Sequence, residues 1–167
     1  MRIWLFLLAA LVGTVAHFLY VPLGKPRLLV MFLPVSESPW EHVKLCFWPL
    51  LGAVAALAFA EDLAWPAAVM AAFVGAMHGI AAMLGLHYAL RFGFGSGRPV
   101  LSADIATYFL SLASGYFIAL RLLHAPVPKV VGAFCILCLL LLACFFDRGS
   151  LHPPPQHVFR DLSKQKT

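Results

Sequence analysis

The stretch PVSESPWEHVKLCFWPLLGAVAALAFA, residues 34–60, joins a short polar segment to a long apolar run. Ser38 followed three residues later by Glu41 forms a capping box, and Pro39 suits the first position of a helix. The apolar run has roughly 20 residues, which is enough to cross a hydrocarbon core of about 30 Å. The stretch therefore predicts a membrane-spanning helix over about residues 40–60.

The rest of the chain has the same character. Of its 167 residues, 62% are hydrophobic and 11% are charged, whereas an average soluble domain has roughly 25% charged residues. Only helices satisfy their own backbone in lipid, so we predict an all-α integral membrane helix bundle whose partner is the lipid bilayer. The five predicted spans are about 3–20, 40–60, 66–90, 102–123 and 128–146. They form one domain, 1–147, which a polar cytoplasmic tail follows at 148–167.

Lysine and arginine are divided unequally between the two ends of these spans. The end with the N-terminus has three, Arg2, Arg121 and Lys129, and the other has nine, Lys25, Arg27, Lys44, Arg91, Arg98, Arg148, Arg160, Lys164 and Lys166. The positive-inside rule predicts a cytoplasmic C-terminus and an external N-terminus. We expect the first span to persist as a signal anchor. The net charge of +5 forms no basic stripe with interleaved aromatics, so no nucleic-acid partner is predicted.

Ionisable residues collect at the predicted cytoplasmic end. Glu37, Glu41 and His42 lie at the start of the second span, His17 ends the first, and Asp104 begins the fourth. The helix dipole disfavours an imidazolium at His42, so we expect the neutral form, which binds metals. This pattern predicts a divalent metal ion with His17, His42 and Glu41 as ligands. The candidate catalytic carboxylates are Glu37, Glu41 and Asp104.

Structural explanations also exist for these carboxylates. Glu41 is the third helical residue of the capping box, and Glu37 lies near the positive end of the helix dipole. Asp104 follows Ser102 and suits the cap of the fourth span.

Three functions are compatible with the sequence. The first is metal-assisted hydrolysis or transfer on a lipid-like substrate at the cytoplasmic face. The second is a small proton-coupled transporter, in which His78 at mid-membrane relays protons to Asp104. The third is a non-catalytic assembly protein, whose small-residue pairs Gly75/Gly79 and Ser111/Gly115 would favour a homo-oligomer. We interpret His87, beside Tyr88, as an interfacial anchor.

Two segments carry a family resemblance. GTVAHFLYVPLG (13–24) followed by FLPVSESPWEHVKLCFWP (32–49) resembles small bacterial multi-pass membrane proteins known only as a domain of unknown function. SADIATYFLSLASG (102–115) is similar to a later segment of that family, and HPPPQHVFRD (152–161) to its ending. The resemblance implies a multi-pass protein of a bacterial cytoplasmic (inner) membrane. It implies no established reaction, and Val21 stands where an acidic residue is usual. The matching positions are His17, Tyr20, Glu37, Ser38, Trp40, Glu41, His42, Lys44 and Asp104.

Overall fold

The computed structural model describes residues 1–93 and 101–162, and over these ranges it is helical with no strand. Five helices are long and apolar enough to cross a membrane. They are α1 (Arg2–Leu19), α2 (Pro39–Ala60), α3 (Trp65–Tyr88), α4 (Leu101–Leu122) and α5 (Lys129–Leu151). The predicted all-α membrane bundle with five spans is confirmed. Three of the basic residues on which the predicted membrane orientation depends lie outside the described residues: Arg98, Lys164 and Lys166.

One of the two hydrogen bonds of the predicted capping box is present at the start of α2. The backbone N–H of Glu41 donates to Ser38 Oγ at 3.2 Å, and Pro39 is the first helical residue. The Glu41 carboxylate instead accepts from the Val35 N–H at 2.8 Å and from Lys44 Nζ at 2.7 Å. Residues three apart share a helix face, so Lys44 is the natural partner of this carboxylate.

Helix α3 is central to the bundle and packs against α2, α4 and α5. Its glycines allow a close crossing with α4. A Cβ added at Gly75 would lie 2.7 Å from the carbonyl oxygen of Gly115, and one added at Gly79 would lie 2.7 Å from Cys46 Sγ of α2. These small residues are therefore used for packing inside the chain.

Helix α5 continues to Leu151, beyond the predicted end of its span at residue 146. Gly149 lies against the indole of Trp40, where an added Cβ would be 2.8 Å from Nε1. The chain after α5 then returns to the same indole, and the ring of Phe159 lies 5.0 Å from that of Trp40. The described part of the tail, 152–162, thus packs on the end of the bundle where α2 begins.

An ion pair joins α1 to the α2–α3 loop at the opposite end. Arg2 Nη2 lies 2.9 Å from Glu61 Oε2, and Arg2 Nε donates to Oε1 at 3.2 Å. His124 Nε2 lies 3.9 Å from the same carboxylate. The hydrogen bond from Arg2 holds the pKa of Glu61 below its usual range.

We expect Glu61→Gln to lower the stability of the protein at neutral pH. A carboxyl with a depressed folded-state pKa stabilises the protein above its unfolded pKa and loses that contribution as pH falls through the folded value. The difference from wild type should therefore begin to shrink near the unfolded pKa of about 4.3 and vanish only below the lower folded-state pKa. Unfolding by sodium dodecyl sulfate in mixed micelles, followed by circular dichroism, measures it. The exposed neighbour Asp62, changed to Asn, is the matched control, and equal losses in both variants would contradict the prediction.

Candidate functional site

Three polar side chains from different elements converge at the end of the bundle where α1 ends and α2 begins. His17 Nε2 lies 3.8 Å from Glu37 Oε1, and His42 Nε2 lies 3.5 Å from Glu37 Oε2. The two imidazole rings are 5.2 Å apart between centroids. The sequence places these residues at one depth, and the fold brings them side by side.

The tautomer of His42 is set by the first turn of its own helix. Its Nδ1 lies 2.8 Å from the carbonyl oxygen of Ser38. A carbonyl only accepts, so Nδ1 carries the hydrogen and the neutral ring presents the Nε2 lone pair to Glu37. A lone pair and a carboxylate oxygen attract only when a proton or a metal cation lies between them. The same orientation by a backbone carbonyl is common in histidines that bind metals.

Glu37 stands between the two histidines with about half of its side chain exposed. The imidazole of His42, 3.5 Å away, holds the pKa of Glu37 below its usual range. Its backbone carbonyl accepts from the N–H of Leu162, so the tail contacts this residue directly at 3.3 Å. Glu37 is therefore an ionised carboxylate held at both its side chain and its backbone.

The three side chains fit the donor set of a divalent transition metal. One atom from each of His17, Glu37 and His42 lies within 4.8 Å of the others. Two histidines and a carboxylate are a known zinc ligand set, and tetrahedral bonds of about 2.0–2.1 Å separate ligand atoms by about 3.4 Å. The imidazole nitrogens approach the two different oxygens of Glu37, at 3.8 and 3.5 Å, each within about half an ångström of that value. Rotation of the Glu37 carboxylate would place one oxygen between the two rings. His17 Nδ1 is buried and has no hydrogen-bond partner among the described residues.

A cavity of about 230 Å³ adjoins this cluster. Its walls come from α2, α3, α4 and the C-terminal tail. The lining residues are Glu37, Pro39, His42, Leu45, Met83, Leu84, His87, Asp104, Thr107, Tyr108 and Leu162. The cluster thus borders a space that a small molecule can enter.

Asp104 lines the cavity beside His87, which we predicted from the sequence to be an anchor at the membrane interface. His87 Nδ1 lies 3.8 Å from Asp104 Oδ1, and His87 Nε2 is buried with no hydrogen-bond partner in the described part of the chain. The pair lines the same cavity as His42 and Glu37. The sequence signal for His87 is its position in the last turn of α3, at the depth of Asp104.

The structure places Glu41 away from the other predicted site residues. Its carboxylate is 2% exposed and pairs with Lys44, which is fully buried. Lys44 Nζ also donates to the carbonyl of Val30 at 2.7 Å and to Ser150 Oγ at 2.6 Å. Ser150 in turn donates to Glu41. This network fastens α5 and the segment before Glu37 to α2, a role that accounts for Glu41 without any ligand.

His78 lies on the exposed face of α3 and does not line the cavity. Ser111 is fully buried against α3, and Tyr108 donates a hydrogen bond to the carbonyl of Ala10 at 2.9 Å. Of the polar residues on α4, Asp104 and Tyr108 therefore line the cavity, whereas Ser111 is buried in the packing against α3.

Fold and site together define a multi-pass membrane protein with a histidine and carboxylate cluster at one end of a five-helix bundle. The chain belongs to DUF6512, a family of unknown function, whose model matches residues 3–166. The resemblance to a family of unknown function is thereby confirmed. No curated protein and no solved structure matches the chain.

Proposed function

We propose that the protein binds a divalent transition-metal ion through His17, Glu37 and His42 and uses it to hydrolyse a lipid-like substrate. The observation that carries the proposal is the approach of two imidazole nitrogens to one carboxylate, at 3.5 and 3.8 Å, beside a cavity. Donor atoms at these separations are too far apart for good hydrogen bonds. They are close to the separations of ligands around one ion.

The ion would supply Lewis acidity to a carbonyl or phosphoryl group. Asp104, which lines the same cavity as Glu37 and His42, is the candidate general base, and the imidazole of His87 lies 3.8 Å from its carboxylate. Glu41 is left out of the ligand set because Lys44 neutralises it. We place the site on the cytoplasmic face by the distribution of lysine and arginine, so the substrate would enter from the inner leaflet.

Zinc binding by purified protein tests the proposal. Full-length protein in neutral detergent should bind zinc stoichiometrically, measured by elemental analysis and calorimetry. His42→Ala should weaken binding by more than about 100-fold, because loss of an outer-shell partner alone costs 10–100-fold. His152→Ala is the matched control, since His152 is exposed in the tail.

Two results would overturn the metal site. One is a wild-type protein that takes up no zinc, manganese or iron. The other is zinc binding that falls equally in His42→Ala and His152→Ala. The transporter function would gain weight in the first case, although His78 lies on the outer face of α3 and would need a partner there.

A further inference from the structure

The cavity beside the metal ligands has one charged end and one apolar wall. Glu37 and Asp104 are its carboxylates, and no lysine or arginine among the described residues lines it. Leu45, Met83 and Leu84 form an apolar wall between α2 and α3. Two histidines, His42 and His87, complete the polar lining. A space with this division accepts an amphiphile, and with the histidines neutral its two carboxylates favour a cationic head group.

Asp104 is the carboxylate that a bound metal would leave available. Its side chain is about half exposed, and its ion-pair partner within the described ranges is the imidazole of His87 at 3.8 Å. Glu37, by contrast, has two histidines and would be neutralised by the ion. An incoming cation therefore finds its counter-ion at Asp104.

The surroundings of Asp104 suit an ammonium group. Thr107 and Tyr108 are one turn along α4 and line the cavity, so a hydroxyl and an aromatic ring are near the carboxylate. An ammonium group would donate its N–H to the half-exposed carboxylate of Asp104, which also balances its charge.

We infer that the cavity binds an amphiphile with a cationic amine head group, held at Asp104 with its hydrocarbon chain against Leu45, Met83 and Leu84. Identification of this amphiphile as the substrate rests on the proposed function; the binding itself does not require the metal. A volume of about 230 Å³ corresponds to roughly eight water molecules at about 30 Å³ each. The hydrocarbon chain of a longer amphiphile must therefore extend beyond the cavity.

Two ligands of equal chain length and opposite charge test the inference. Dodecylammonium and dodecanoate are titrated separately into full-length protein in a neutral maltoside detergent, and the melting temperature is followed by tryptophan fluorescence. We expect dodecylammonium to raise the melting temperature and dodecanoate to leave it unchanged. Asp104→Asn should weaken dodecylammonium binding by about 10–100-fold, the contribution of a hydrogen bond to a charged group. Asp62→Asn, at the opposite end of the bundle, should bind as wild type does.

The inference is overturned if both ligands shift the wild type equally or if the dodecylammonium shift survives Asp104→Asn. The comparison within wild type decides the question even if Asp104→Asn folds poorly. His17→Ala separates the two proposals, because it should lose zinc and keep the amine. Selective amine binding by a protein that never binds zinc would refute the metal proposal and leave the cation site standing.

Discussion

Lys44→Met is expected to destabilise the protein by about 3–5 kcal/mol, the cost of leaving a buried charge without its partner. Lys44 is fully buried and Glu41 is 2% exposed, with 2.7 Å between Nζ and Oε2. The methionine side chain fills most of the volume, but the carboxylate remains in an environment of low dielectric. Unfolding by sodium dodecyl sulfate in mixed micelles measures the loss.

The double variant Glu41→Gln/Lys44→Met isolates the charge as the cause. With no buried charge left unpaired, it should recover a large part of the stability that Lys44→Met loses. Lys129→Met is the matched control, because Lys129 is exposed at the start of α5 and should change stability by no more than about 0.5 kcal/mol. Equal losses in the two lysine variants, or a double variant no better than Lys44→Met, would refute the account.

Lys44→Met should also weaken metal binding at the candidate site. Lys44 Nζ donates to the carbonyls of Val30 and Leu33 in the segment that leads to Glu37. Release of that segment removes a restraint on the Glu37 carboxylate, so zinc affinity should fall in Lys44→Met, although Lys44 is not itself a ligand.

The sequence predicts the helices well because the period and length of apolar runs depend on local chemistry. Ser38 and Pro39 begin α2, and the depth of His17 and His42 follows from counting residues along two spans. Adjacent residues on a helix diverge by about 100°, since a turn takes 3.6 residues. That angle explains why Glu41 and His42 face different clusters, and the i, i+3 spacing explains why Glu41 meets Lys44.

Contacts between side chains of different helices could not be predicted from the sequence in the same way. The contact of His87 with Asp104 depends on the rotation of α3 against α4, which no local pattern specifies. The return of the tail to Glu37 through Leu162 depends on tertiary packing around Trp40. Metal binding by His17, Glu37 and His42 stays a prediction.

Gly75→Ala is expected to destabilise the bundle by about 1–3 kcal/mol, the usual cost of overpacking. The added Cβ would lie 2.7 Å from the Gly115 carbonyl oxygen and 2.9 Å from Ala119 Cβ. Neither atom belongs to a flexible side-chain end, so α3 and α4 must separate. Unfolding in sodium dodecyl sulfate again provides the measurement.

Gly85→Ala makes the same substitution on the same helix without the crossing. Nothing lies within 4 Å of a Cβ added at Gly85, so alanine should be neutral or should stabilise α3 by up to about 1 kcal/mol through helix propensity. Opposite signs for the two variants would establish that the glycine at 75 is there for the approach of α4. Because His87 is on α3 and Asp104 is on α4, separation of the two helices in Gly75→Ala should also weaken dodecylammonium binding, while Gly85→Ala should leave it unchanged. A Gly75→Ala protein as stable as Gly85→Ala would mean that α3 and α4 do not cross as closely as the structure shows.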